Sequence, residues 1–254
     1  MNTKIVQNSI NTIQLSNIML MLKICLIFMK NTIFCNFSYI INDMNIVSIL
    51  IVFVIVLISM ILHEMAHAYT AYWLGDTTAK EEGRLSPNPF VHIDLWMSIV
   101  LPMLLFISGG PVFGGAKPVP IDKRNLKGGP WGMALVAIAG PAMNFILALI
   151  AFLIGHFTGV LYGTDLISAI VARIIVTNLG FMVFNLIPIP PLDGSRVLYA
   201  IAPDGVRDFM ERMEYSTGLI IVFVMVYFFS SYLSMYLIGA EEGIYTFFKW
   251  LVGA

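Results

Sequence analysis

The residues with the clearest chemical potential are His63, Glu64 and His67, which form the pattern His-Glu-Met-Ala-His, or HExxH. Residues four apart lie on one face of an α-helix, so both imidazoles can bind the same metal ion. Zinc brings the pKa of a bound water toward neutrality, and the carboxylate of Glu64 is placed to take the proton. The pattern therefore predicts a hydrolytic zinc site with Glu64 as its catalytic base.

The alternative interpretation of HExxH is a solvated, charged face of an ordinary helix. It is weak here because the motif follows the apolar stretch 46–62, which is typical of a membrane helix. Ionisable side chains at such depth are costly and are usually functional.

A catalytic zinc ion usually has three protein ligands and one open position. Asp193 is the best third ligand, because prolines 188, 190 and 191 break the chain just before it and Gly194 follows it. A carboxylate on such a break can point into the protein rather than into lipid. The two remaining histidines are weaker candidates. We expect His156 at the far end of its helix, and a loop hydrogen bond explains His92.

The composition indicates that these residues are positioned by membrane helices. Of 254 residues, 59% are hydrophobic and only 11% are charged, against about a quarter charged in soluble domains. So much apolar surface favours a bilayer as the solvent. The net charge of −1 and the absence of a large basic patch do not favour a nucleic-acid partner.

The hydropathy pattern predicts an all-α polytopic membrane protein built as a helical bundle. Segment 94–108 is apolar but covers only about 22 Å as a helix, too short to cross a hydrocarbon core of about 30 Å. We therefore expect it to be a re-entrant, half-membrane element. The predicted spans are 45–74, 131–156, 165–187 and 215–238.

Charge predicts the orientation of this bundle. Lysines and arginines concentrate in segments 109–130 and 188–214, whereas loop 157–165 has none. By the positive-inside rule, both basic segments are cytoplasmic. The HExxH end of the first helix and the segment of Asp193 then lie on the cytoplasmic side of a multi-pass cell-membrane protein.

Residues 1–43 differ from the rest in being rich in Asn, Ile and Met without Gly or Pro. Met44 directly precedes the first long apolar helix. We expect 1–43 to be an N-terminal extension, either an upstream start that is mis-called or a genuine extra helix, and 44–254 to be the membrane-embedded metalloprotease domain.

Taken together, the motifs resemble the site-2 protease family of intramembrane zinc metalloproteases. HExxH and a later NxxPxPxLDG, residues 185–194, carry the resemblance. Between them, further matching segments follow in the same order: 74–76 (LGD), 83–85 (GRL), 88–94 (NPFVHID), 115–120 (GAKPVP) and 139–144 (AGPAMN). The similarity covers about residues 44–200 and points to the compact bacterial branch, which has neither a PDZ nor a CBS domain.

The resemblance implies that one zinc ion is bound by His63, His67 and Asp193, with Glu64 as general acid and base. It also implies that Asn144 steadies the substrate carbonyl or its oxyanion, as an amide donor in a dry site can. The alternative for Asn144 is a hydrogen bond to a neighbouring helix. For Asn178 and Asn185, we expect buried hydrogen bonds that position the proline-rich turn.

These features predict hydrolysis of peptide bonds within or near transmembrane segments of membrane proteins, with a transmembrane protein or peptide and membrane lipid as partners. Short β-like loops near the active site could pair with an unwound substrate, and segments 78–86 and 111–120 are the candidates. One alternative is a metal transporter or sensor using the same His and Asp residues, although no internal repeat supports it. Another is an inactive scaffold, although every motif residue is present.

Overall fold

A computed structural model of the chain describes residues 46–92, 100 and 117–254. Within these residues the protein is helical and contains no strand, which confirms the predicted all-α class. The N-terminal extension and the half-membrane segment 94–108 lie outside the described residues and stay predictions.

Helix α1, Ile46–Trp73, carries the HExxH motif in its last three turns. Its Ile- and Val-rich sequence is a modest helix former in water, but a bilayer leaves the backbone no other way to satisfy its polar groups. The helix ends at Gly75, whose φ of 103° belongs to the left-handed region. The amides of Gly75 and Asp76 donate to the carbonyls of Tyr72 and Ala71, which is a Schellman ending.

After α1, the chain forms the short helix α2, Thr78–Glu81, and a 3₁₀ turn at Pro89–Val91. The extended strand predicted for 78–86 is therefore wrong. Asp76 accepts hydrogen bonds from the amide and hydroxyl of Thr78, and this favours a turn of helix over a strand. Of the other candidate segment, 111–120, only 117–120 is described, and it is assigned to neither helix nor strand.

Helices α3, Gly129–Phe157, and α4, Leu166–Asn185, form an antiparallel pair joined by the 3₁₀ turn Val160–Tyr162. Asp165 caps α4 by accepting from the amide of Ser168 at 3.0 Å. A core around Phe152, Leu179 and Phe248 fills the space between these helices and the last helix. Helix α1 also packs against α3, so α3 is the central element of the bundle.

Three further helices complete the chain: α5, Gly194–Ile201, α6, Asp204–Phe228, and α7, Ser230–Leu251. Segment 215–238, predicted as one span, is not a single straight helix, because the chain bends by 88° between α6 and α7. Helix α6 ends at Phe228 and α7 begins at Ser230, so the bend falls at Phe229. Helix α7 continues beyond the predicted span, as far as Leu251.

The helices identify a membrane protein. Three are long and apolar enough to cross a bilayer, Leu50–Trp73, Gly129–Phe157 and Leu166–Asn185, and the bent pair α6–α7 would make a fourth span. Their outward faces carry exposed apolar side chains such as Phe53, Ile150 and Ile167. Such a surface suits lipid rather than water.

One end of the bundle is closed by a polar collar, defined here as residues 74–92 and 117–127. Asp76 is fully buried in it, and its Oδ2 accepts from the amide of Asp122 at 2.7 Å. Arg84 donates to the carbonyls of Val91 and Pro118, again joining the two segments. The collar thus holds the loops that surround the HExxH end of α1 in one arrangement.

The collar also reaches α6 through Glu211. This carboxylate accepts from Lys123 Nζ at 2.8 Å and from Tyr199 Oη on α5 at 2.7 Å. The hydrogen bond from Lys123, followed by that from Tyr199, lowers the pKa of Glu211 below its ordinary value. The group therefore stays ionised and keeps both partners at neutral pH.

Asp76→Ala should loosen the collar, because it leaves the amides of Thr78 and Asp122 without their acceptor. Each buried unsatisfied group costs about 1–3 kcal/mol. We expect trypsin to cleave several-fold faster at Lys123 or Arg124 in detergent-solubilised protein. Glu82→Ala, at an exposed position of the same segment, is the matched control. Equal cleavage rates in the two variants would contradict the assigned role of Asp76.

Candidate metal centre

Two elements, helix α1 and the turn before α5, bring three metal-binding side chains to one point, as the sequence predicts. His63 and His67 lie one turn apart on α1, and Asp193 lies just before α5. The two Nε2 atoms are 3.0 Å apart, and Asp193 Oδ2 lies 3.2 Å and 3.4 Å from those of His63 and His67. Among the described residues this is a group that could hold a metal ion.

The hydrogen bonds of the two imidazoles show that lone pairs face the common point. His63 Nδ1 is 2.7 Å from the side-chain oxygen of Asn144, and His67 Nδ1 is 2.7 Å from the carbonyl oxygen of Val136. Since oxygen only accepts in both contacts, each Nδ1 carries the proton and each neutral ring has a bare Nε2. Asp193 Oδ2 is likewise buried without a hydrogen bond.

This arrangement fits zinc. Tetrahedral coordination at about 2.0–2.1 Å from the ion places ligand atoms about 3.3 Å apart, close to the three observed separations. Two imidazole nitrogens and a carboxylate are a common donor set for a catalytic zinc ion, and they leave one position open. Three lone pairs this close repel one another without a cation, so the site is built for one.

Gly140 allows α3 to approach the two histidines. A Cβ at this position would lie 2.4 Å from His67 Nε2 and 2.5 Å from His63 Nε2, distances that real Cβ atoms do not show. Gly140 therefore belongs to the wall of the metal centre. The sequence marks it only as part of the AGPAMN segment, because nothing local reveals which face of α3 meets α1.

The proline-rich turn places Asp193. Gly194 has no room for a side chain, since a Cβ would lie 2.2 Å from the carbonyl oxygen of Leu186. Ile187 and Leu192 pack against Val222 of α6 in a small apolar cluster. Helix α6 thereby supports the turn from behind, and Asp193 is directed at the histidines with its side chain 21% exposed.

Glu64 lies next to His63 on α1 and is partly exposed, unlike the two histidines. It interacts electrostatically with His67, His63 and Asp193, and also with His92. A carboxylate beside the ligands, and not among them, is where the sequence predicts the general base.

Asn144 is fully buried, and both ends of its carboxamide have partners. The oxygen accepts from His63, and the nitrogen donates to Asn178 Oδ1 at 3.2 Å. A direct contact with a substrate carbonyl stays a prediction, because in this structure the amide nitrogen is committed to Asn178. Asn185 is half-buried and donates to the Phe181 carbonyl of its own helix at 3.0 Å.

The two remaining histidines have different positions. His156 lies in the last turn of α3, about 24 Å along the helix from Gly140, and pairs with Tyr162 at 2.7 Å. It is outside the metal centre, as predicted. His92 is buried, with Nε2 2.8 Å from the Ser86 carbonyl oxygen, which confirms the predicted loop hydrogen bond. Its electrostatic interaction with Glu64 was missed, because it depends on how the collar folds.

The fold and the site together define a membrane-embedded zinc metalloprotease. The chain is 39% identical over 176 residues to YwhC of Bacillus subtilis, named as a proposed zinc metalloprotease, covering 66% of this chain and 76% of YwhC. It is 30% identical over 203 residues to Rip2 of Mycolicibacterium smegmatis, named likewise, covering 72% and 75%. The chain belongs to the site-2 protease family.

A more distant similarity extends to an archaeon. The zinc metalloprotease MJ0392 of Methanocaldococcus jannaschii is 26% identical over 152 residues, covering 59% of this chain and 34% of MJ0392. No family model and no solved structure matches the chain.

Gly140→Ala should strongly reduce zinc binding, because the added methyl group overlaps both imidazoles. Zinc per chain, measured by elemental analysis of the purified protein, is expected to fall well below one. The matched control is Gly243→Ala on α7, where a Cβ meets nothing within 4 Å. Full zinc occupancy in Gly140→Ala would mean that α3 does not approach the ligands as described.

Proposed function

We propose that this chain is an intramembrane protease that hydrolyses peptide bonds within or near transmembrane segments of membrane proteins, as in regulated intramembrane proteolysis. The observation that carries the proposal is the position of the metal centre. Two of its ligands lie on a helix long and apolar enough to cross a bilayer, and α3, another such helix, touches both. A site inside the bundle suits a substrate that is itself embedded in lipid.

A bound zinc ion supplies Lewis-acid activation of water and of the scissile carbonyl. The protein's own residues do the rest. His63, His67 and Asp193 hold the ion in place, and Glu64 takes the proton of the attacking water and delivers it to the leaving amine. We expect water to reach this carboxylate through the polar collar around the HExxH end of α1, from one side of the membrane.

The substrate we propose is a transmembrane protein or peptide whose helix unwinds locally before cleavage. A helical peptide bond is shielded by its own hydrogen bonds, so an extended partner is needed to receive the unwound segment. In the described part of the chain, residues 117–120 of the collar, which are assigned to neither helix nor strand, are the best candidate for that pairing.

We further propose that the active site faces the cytoplasm of a bacterial cell. The collar and the neighbouring ends of α5 and α6 carry most of the positive charge, including Lys123, Arg124 and Arg207. The opposite turn, residues 158–165, has no lysine or arginine. This asymmetry follows the positive-inside rule.

The orientation can be tested with single cysteines in a Cys25→Ser, Cys35→Ser background. An impermeant thiol reagent is applied to cells whose outer layers are permeable but whose cytoplasmic membrane is intact. It should label Thr164→Cys in these cells and Arg124→Cys only after lysis. Both positions are exposed in the structure. Labelling in the reverse pattern would overturn the proposed orientation and leave the metal centre unaffected.

Glu64→Gln should abolish cleavage of a co-expressed membrane substrate while zinc stays bound, because the amide cannot accept the proton of water but leaves the three ligands intact. Cleavage is measured by immunoblot, and zinc by elemental analysis. Glu82→Gln, an identical change at an exposed position, is expected to retain wild-type activity.

Persistent cleavage by Glu64→Gln would refute the mechanism. Zinc binding by the wild-type protein without cleavage of any membrane substrate would instead favour the transporter or sensor alternative.

A further inference from the structure

A chain of three hydrogen bonds runs from the backbone of α4 to the metal centre. Asn178 Nδ2 donates to the carbonyl of Ile174 at 2.9 Å, and Asn144 Nδ2 donates to Asn178 Oδ1 at 3.2 Å. Asn144 Oδ1 then faces His63 Nδ1 at 2.7 Å. Asn144 and Asn178 are 0% and 1% exposed, so no bulk water competes for these groups.

The backbone carbonyl of Ile174 fixes which atom donates and which accepts in each of these hydrogen bonds. A backbone carbonyl can only accept, so Asn178 must turn its amide nitrogen toward Ile174 and its oxygen toward Asn144. Asn144 must in turn donate to that oxygen and present its own oxygen to His63. His63 is then required to carry its proton on Nδ1, which leaves Nε2 bare toward His67 and Asp193.

His67 also carries its proton on Nδ1, but here a single hydrogen bond to the carbonyl of Val136 fixes it. The two ligands therefore differ in what fixes them. His67 depends on the backbone of α3 alone, whereas His63 depends on two side chains from α3 and α4.

We propose that Asn144 and Asn178 form a positioning pair that fixes the tautomer and ring orientation of His63 and thereby raises the affinity of the site for zinc. This inference rests on the proposed metalloprotease function for its purpose, but metal affinity can be measured without any substrate. It also assigns Asn144 a role at the ligand instead of at the substrate.

Groups that orient a metal-binding histidine in this way typically contribute 10–100-fold to metal affinity. Without an acceptor, the Nδ1 proton of His63 is buried and unsatisfied, and the ring gains by rotating or by moving its proton to Nε2. Either change removes a ligand from the ion. The effect should therefore appear as weaker metal binding, with cleavage recovering as zinc is added.

The test compares Asn178→Leu and Asn144→Leu with the wild type in detergent. Zinc dissociation constants are measured by competition with a chromophoric chelator, and Co²⁺ absorption spectra report the ligand geometry. We expect both variants to bind zinc 10–100-fold more weakly and to show altered Co²⁺ spectra. Asn144→Asp, which keeps an oxygen acceptor for His63, should recover part of the affinity although it has no N–H to donate to a substrate.

Leu179→Ala is the control for lost packing, because Leu179 neighbours Asn178, is equally buried and belongs to the apolar core around Phe152 and Phe248. It should lower thermal stability and leave zinc affinity within about threefold of the wild type.

Zinc affinities within threefold of the wild type in both leucine variants would overturn the proposal. Cleavage lost in Asn144→Leu with zinc affinity intact would likewise overturn it, and would return Asn144 to the predicted contact with the substrate carbonyl. Failure of the wild type to cleave any membrane substrate would contradict the proposed function but not the proposed role of the positioning pair Asn144 and Asn178.

Discussion

Two imidazole nitrogens and one carboxylate oxygen lie 3.0–3.4 Å from one another inside a bundle of apolar helices. Such an arrangement of lone pairs suits a shared cation, because bare lone pairs at these separations repel one another. The rest of the bundle follows from keeping these three atoms together. Helix α1 supplies the two imidazole nitrogens by its own periodicity. The other helices hold the carboxylate of Asp193 against them.

The elements around the site are specialised for close approach. Gly140 lets α3 reach the imidazoles, and Gly194 lets the turn before α5 fold back onto Leu186. Helix α6 packs on the same turn through Val222. These contacts restrict the conformations of the elements and so fix the distances between the ligand atoms. Such rigidity is expected where a metal ion tolerates only small displacements of its ligands. Among the described residues, the polar collar provides a strongly polar environment at the HExxH end of α1.

Local patterns were enough to predict the class of fold and the two histidine ligands, whereas Asp193 as the third ligand rested on the resemblance to site-2 proteases. The i, i+4 spacing of His63 and His67 places both side chains on one face of a helix, whatever that helix packs against. The prolines before Asp193 likewise predict a break in the helix without reference to tertiary packing. The contact of Gly140 and the partners of Asn144 could not be predicted, since they depend on the rotation of α3 about its axis. Hydropathy also missed the bend between α6 and α7, because apolar side chains continue through Phe229 and hide it.

The central claim is that His63, His67 and Asp193 bind one zinc ion. X-ray absorption spectroscopy at the zinc edge of the purified, full-length protein tests it most directly. The account predicts one zinc per chain with only nitrogen and oxygen neighbours at about 2.0–2.1 Å and the outer-shell scattering of two imidazoles. A sulfur neighbour at about 2.3 Å, a single imidazole, or zinc that is not stoichiometric would contradict it.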